Sequence, residues 1–341
     1  MKKQAAFPET LIEAVRYFSS QARALDFMKS IRWPDGVVCP NCGSREVTFL
    51  KNAQLWKCKT KHSRQKFSAK VGTVFEDSPI GLDKWMPAVW LVVNCKNGIS
   101  SYEIARDLGV TQKTAWFMMH RIRLAMQDES IEQMSGKVEA DETFIGGKAR
   151  NMSKARRKSA GIQAGHVGKV AVMGLLERNS PDKSSRVRLR VLKNTRRGVL
   201  HTQIQNEVVK GSEVYTDALA SYTGLDAEYV HQVIDHAECY AKGHVHTNGL
   251  ENFWSLLKRG IKGTYVSVEP FHLFRYLDEQ AFRFNERKDN DAGRFVKALS
   301  GIVGKGLRYA KLIGKEGSDG LPQTPTPWTL KTLMGDLGFE N

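Results

Sequence analysis

The stretch KVEADETFIGG, residues 137–147, decides how the chain is read. Its length and flanking glycines mark a strand, with Asp141 at its centre and Glu142 alternating to the opposite face, where a solvated acid is the expectation. Four more strand-like stretches follow: KVAVMGLLER (169–178), RVRLRVLK (186–193), EVYTDAL (213–219) and YVHQVID (229–235). TRRGVLHTQIQNEVV (195–209) has a helical pattern and separates the third strand from the fourth. Three strands, a helix, two strands and further helices predict a mixed α/β domain with a five-stranded sheet, over residues 136–290.

The rest of the chain reads differently. The 341 residues leave room for two or three folded units. Lys and Arg number 52 against 36 Asp and Glu, a formal charge of +16, as expected where the partner is a polyanion such as DNA. No apolar run reaches the eighteen residues a spanning helix needs, and the N-terminus lacks an apolar signal core, so no membrane association or export is expected. The five cysteines are an odd number and three cluster, which favours a reducing cytoplasm and a metal site over a disulfide framework.

Residues 1–35 form an N-terminal helical segment. Residues 36–78 are short, rich in β-branched and aromatic residues, and too small for a core of their own. They carry Cys39-Pro-Asn-Cys42, then Cys58, then His62 four positions on. Paired short-spaced ligands on two turns suit one tetrahedral Zn²⁺, so a zinc ribbon is predicted, with His62 as the expected fourth ligand. Cys95 and Cys239 read as plain thiols.

Residues 80–128 contain two helices around Gly109, a helix-turn-helix pattern. Val110, Ala115, Trp116, Met119 and Ile122 are assigned inward. Gln112, Lys113, Arg121 and Arg123 are assigned outward, as donors for base edges and phosphates.

Three acids then stand out. If the first and fourth strands are neighbours, Asp141 and Asp217 converge at one edge. A helix over NGLENFWSLLKRG (248–260) would add Glu251. Such a trio would hold two Mg²⁺ or Mn²⁺ ions for phosphoryl transfer. Lys258 lies two turns after Glu251, on the same helix face, to grip a phosphate. Phe253, Leu256 and Leu257 are expected to pack on the sheet; Trp254 is compatible with either side.

The blocks VEADETFIGGK (138–148), VYTDALASY (214–222), HTNGLENFWSLLKRGIKGTY (246–265) and CKTKHSRQKFSAKVGTVFEDSP (58–79) together resemble a family. It is the DDE transposases of bacterial insertion sequences, in the branch with an N-terminal zinc ribbon, over roughly residues 25–290. The resemblance implies a ribonuclease-H-like α/β catalytic domain behind the ribbon and the helix-turn-helix. It implies Asp141, Asp217 and Glu251 as the acidic triad, with Lys258 trailing. Some relatives use Asn as the third acid, so Asn248 competes with Glu251. It also implies work in the bacterial cytoplasm at the nucleoid: binding terminal inverted repeats, cleaving the ends and joining their 3′-hydroxyls to target DNA, with at least a dimer on DNA.

Residues 148–197 hold fifteen Lys and Arg against two acids, and are expected to grip DNA backbone, led by Lys148, Arg150, Lys154, Arg156, Arg157 and Lys158. Arg259 joins that set, and His244 and His246 are further candidates. Residues 291–341 read as one helix and a tail. Two rivals remain: a non-catalytic zinc-ribbon and helix-turn-helix regulator, and a nuclease that cuts without joining.

Overall fold

The computed structural model describes residues 7–128, 130–146, 169–181, 183–217, 219–234 and 246–315. In chain order they form α1 (Leu11–Phe18), α2 (Gln21–Arg32), β1 (Val47–Leu50), β2 (Leu55–Cys58), β3 (Lys66–Phe67), α3 (Leu82–Asn94), α4 (Ser101–Leu108) and α5 (Gln112–Ala125). Next come β4 (Lys137–Ile145), β5 (Val170–Glu177), β6 (Arg186–Leu192), α6 (Arg197–Glu207), β7 (Glu213–Asp217), β8 (Val230–Ile234), α7 (Asn248–Gly263), α8 (Leu273–Asn285), α9 (Asp291–Ser300) and α10 (Tyr309–Leu312). Two compact units result: Met1–Gln127 groups with Glu286–Lys315, and Asp128–Asn285 belongs to the other. Among the described residues, no helix is long and apolar enough to cross a membrane.

The first unit combines the N-terminal helices, a small antiparallel sheet in the order β1-β2-β3, and α3 to α5. Within it, α9 closes the core. Phe295 stacks on Phe27 at 5.7 Å and meets Phe18 at 5.5 Å and Trp90 at 5.2 Å. The reason is hydrophobic: α3 buries nearly its whole circumference and needs partners on every side.

Two helices flank Gly109 as the turn chemistry predicts. Ser100 starts α4 with a reciprocal cap: its N–H donates to Glu103 Oε2 at 2.8 Å, and Glu103 N–H donates to Ser100 Oγ at 3.2 Å. Gly109 ends α4 at φ 59°, a left-handed conformation that glycine adopts without penalty. Thr111 caps α5, and Gln112 Nε2 ties the pair together by donating to Ser101 Oγ at 2.8 Å.

The outward assignment fails for two residues. Arg121 is 5% exposed and Arg123 1% exposed. Arg121 donates to the carbonyls of Glu76 at 2.6 Å and Leu307 at 3.0 Å, and stacks on Phe117 at 4.5 Å. Segments far away in sequence supply those acceptors, so helical periodicity alone reads the arginine as a surface donor. Val110 and Trp116 are half-buried, and Lys113 keeps its outward place. Arg121→Ala should lower the melting temperature, since a cavity and two carbonyls left without their donor cost roughly 2–4 kcal/mol, as a denaturation curve would show.

In the second unit the strand order is β6-β5-β4-β7-β8. β4, β5 and β6 pair antiparallel, whereas β4, β7 and β8 run parallel, giving the mixed five-stranded sheet. β5 is buried along its whole length. Val138, Ala140 and Met173 share one core with Leu200 and Ile204 of α6. Val172 and Leu176 share another with Leu250, Phe253, Trp254 and Leu257 of α7 and with Leu277 of α8. Leu256 is 42% exposed, contrary to its expected place on the sheet.

Part of the basic stretch is structural. Arg178 pairs with Glu139 at 2.7 Å, Arg188 with Glu207 at 2.7 Å, and Arg186 with Glu177 at 2.5 Å. These arginines hold the unit together instead of facing a polyanion, because partly buried guanidinium groups need acid partners. Lys148, Arg150, Lys154, Arg156, Arg157 and Lys158 lie outside the described residues, as do His244 and Cys239.

Candidate functional site

The β4–β7 register pairs Lys137 with Glu213, Val138 with Val214 and Glu139 with Tyr215. Carried two residues further, it sets Asp141 level with Asp217, where side chains of parallel strands share a face. That face is the one α7 covers: Trp254 Nε1 donates to Asp141 Oδ2 at 2.8 Å. Asp141 Oδ1 accepts from the Glu142 N–H at 2.8 Å. Asp217 Oδ1 accepts from the Leu219 N–H at 3.1 Å.

Burial pushes the Asp141 carboxyl above its ordinary value. The bonds from Trp254 and Glu142 oppose that shift, and the charges of Asp217 and Glu251 add to it. Asp217 and Glu251 therefore both act electrostatically on Asp141. Asp141 is half-buried among like charges that disfavour its ionisation, and a cation relieves that cost. Oxygen-only donors suit a hard divalent ion. Glu251 and Lys258 are both exposed on α7, as is Asn248 at its start.

A glycine makes this arrangement possible. Gly174 of β5 pairs with Asp141, and a Cβ there would lie 2.6 Å from the Trp254 ring. Only glycine admits the indole, and the indole then reaches Asp141. Sequence pattern leaves Trp254 compatible with either side and does not single out Gly174, although a glycine inside a fully apolar strand is the signal for close approach.

Glu139 was also missed. It is 1% exposed, paired with Arg178, and its Oε2 accepts the Leu250 N–H at 2.9 Å. A Cβ on Gly249 would lie 2.8 Å from that same oxygen. A carboxylate at the first turn of α7 suits the positive end of the helix, and it fixes where Glu251 begins its turn. His246 belongs to this clamp, since Arg178 Nη2 lies 2.8 Å from its Nδ1.

Glu142 does alternate to the opposite face, but it is not solvated there. Tyr222 donates a hydrogen bond to its Oε1, and burial raises its pKa to about 7 despite that bond, with Asp141 and Asp217 adding. The buried Tyr222 sits on a turn after β7 that local sequence does not aim at β4.

The first unit holds a second cluster. The ligand atoms of Cys39, Cys42, Cys58 and His62 all lie within 4.8 Å of one another. Cys39 Sγ is 3.4 Å from His62 Nε2, and Cys42 Sγ is 3.6 Å from Cys58 Sγ. Burial opposes the Cys58 thiolate, but bonds with His62, Cys42 and Thr60 bring its pKa down to about 7. Three thiols and an imidazole closing on one point fit a structural Zn²⁺. Cys95 is half-buried after α3, away from the cluster.

A Cys₃His cluster thus lies in one unit and an acid-bearing mixed sheet in the other. Residues 133–285 match the ISXO2-like transposase domain, and residues 19–60 match a transposase zinc-ribbon domain. The chain is 27% identical over 300 residues to an uncharacterized protein in transposable element ISH50 of Halobacterium salinarum, spanning 85% of this chain and 98% of that protein. It is 35% identical over 110 residues to an uncharacterized transposase-like protein of Haemophilus influenzae, spanning 32% of this chain and 89% of that protein. The chain belongs to the ISXO2-like transposase family.

Proposed function

We propose that this chain is the catalytic transposase of its insertion sequence: it binds the terminal inverted repeats, cleaves the ends and joins their 3′-hydroxyls to target DNA. What supports this reading is Asp141 set level with Asp217 on the sheet face that α7 covers, with Glu251 on that helix and Lys258 two turns further along it. The sheet is read as ribonuclease-H-like, and α4 and α5 as a helix-turn-helix. With the ribbon, that pair would recognise the ends, through Gln112 and Lys113. Arg259 and the basic residues 148–158 would hold DNA backbone, and two ends would require at least a dimer.

Asp141, Asp217 and Glu251 would hold two Mg²⁺ or Mn²⁺ ions, which when bound supply positive charge to the attacking and leaving oxygens. The chain's residues do the positioning. Trp254 N–H and the Glu142 N–H fix both oxygens of Asp141. Glu139 and Gly249 seat the start of α7 and thereby Glu251. The Lys258 ammonium, a point charge on a flexible stem, orients a strand phosphate.

The test is a labelled duplex of the element's terminal sequence, incubated with protein and with or without Mg²⁺, then with a target plasmid. Mg²⁺-dependent nicking followed by linkage to the plasmid is expected. Binding without nicking would support the regulator, and nicking without linkage the nuclease. Gly174→Ala should leave the chain folded yet cut nicking about 100-fold, the size of effect a misplacement near 1 Å produces. Trp254→Phe, which keeps the ring and loses the donor, separates the hydrogen bond from the packing in the same assay.

A further inference from the structure

Beyond Lys258, the second unit contains a cavity of about 560 Å³, inside the range of roughly 300–1,000 Å³ typical of small-ligand sites. Its walls are apolar: Phe144 and Ile145 at the end of β4, Val268 after α7, and Leu273 at the start of α8. Lys169, Lys258 and Lys262 line it as well, so the cavity joins an apolar wall to three cations.

Val266 also lines it, and Val266 is strained. It is 77% exposed and has φ 61°, a left-handed conformation that a β-branched residue adopts only under constraint. The constraint lies on both sides. The Tyr265 hydroxyl donates to buried Glu279, and its ring meets Tyr276 edge-on at 4.8 Å. Val268 packs on the core two residues later. The chain between two anchors thus holds an apolar side chain out in solvent at a cost in backbone energy, a pattern associated with ligand clamps.

We infer that this cavity receives one unstacked nucleotide of the DNA strand bound at the carboxylate site, its base against the apolar wall and Val266, its phosphate on the lysines. The inference rests on the proposed function and deepens it. A phosphate alone would need the lysines but no apolar recess, and a neutral ligand would need no lysines. Unstacked bases are read in such pockets by apolar contact. Position agrees too. Lys258 stands seven residues, roughly 10 Å, along α7 from Glu251, and stacked nucleotides of one strand rise about 3.4 Å each. The nucleotide concerned then lies about three positions from the scissile phosphate.

The test uses the full chain and terminal duplexes carrying 2-aminopurine at successive positions across the cleavage junction. Without Mg²⁺, one position should brighten several-fold on binding, as unstacking requires. Val266→Gly removes the side chain and suits a left-handed φ, so its melting temperature should not fall. The variant should lose that brightening and bind the duplex about 5- to 10-fold more weakly, the size of one lost base contact. An abasic residue at the bright position should abolish the difference in affinity between Val266→Gly and the wild type, which a merely structural role would not do. If the wild-type protein nicks the duplex in Mg²⁺ but no position brightens, or if Val266→Gly brightens equally, the cavity does not hold a strand nucleotide and the transposase reading stands. Brightening that free deoxynucleoside monophosphate competes away would assign the cavity to a free nucleotide and overturn the inference. Absence of nicking by the wild type would remove the transposase reading, and this inference with it.

Discussion

Asp217→Asn should abolish Mg²⁺-dependent nicking of terminal DNA while leaving the fold and the affinity for DNA in place. The amide matches the carboxylate in shape but lacks the charge that holds a hard divalent ion. Removing one charge-stabilising group from such a site costs about 10²- to 10³-fold in rate, and loss of a metal ligand should reach at least the upper end. The half-buried position of Asp217 at a strand end predicts little change in melting temperature. Because the Asp217 charge is one of the causes that raise the Asp141 pKa, the variant should also shift that carboxyl downwards. Affinity for DNA should hold or rise slightly, since a negative charge has left a surface that meets phosphates. Nicking and gel-shift assays on the same preparation check both statements. A variant that still nicks at the wild-type rate would remove Asp217 from the site.

The second large effect concerns the ribbon. Cys58→Ser should drop bound zinc from about one per chain to near none and unfold residues 36–78, with loss of terminal-DNA binding. Structural zinc contributes apparent binding energies of about 10–16 kcal/mol in small zinc domains, more than a small sheet recovers elsewhere. β1 and β2 have four residues each and β3 has two, and their apolar contribution is a single cluster in which Trp56 meets Trp33 at 5.3 Å and Phe67 at 6.1 Å. Cys58 is fully buried beside that cluster, so losing the metal should loosen it. Metal analysis and tryptophan fluorescence together check the result. Cys95→Ser is the control and should keep its zinc. A Cys58→Ser protein that keeps both its metal and its fluorescence would end the assignment of that ligand.

Much of this molecule is written in local pattern. The five strands and α6 stand where alternation and helical spacing put them, because those periods depend only on which face of an element meets a core. Gly109 marks its turn because few residues tolerate that backbone conformation. The Cys39–Cys42 pair announces a metal site because two close thiols on one turn suit a single ion. Asp141, Asp217 and Glu251 were legible as candidates because each sits in a motif-bearing stretch.

What the tertiary structure alone decided are the contacts between residues far apart in the chain. Arg121 and Arg123 look like DNA donors on a helical wheel, yet both are buried, and the acceptors that hold Arg121 come from Glu76 and from Leu307 in the returning segment. Glu139, Arg178 and Gly249 form a clamp across more than a hundred residues, and Gly174 makes room for an indole eighty positions away that steadies Asp141. Glu142 reads as solvated until Tyr222 closes over it. The physical reason is the same in each case. Periodicity records whether a side chain faces inward, but the partner it meets there depends on how distant segments pack, and that packing sets burial, hydrogen bonding and charge.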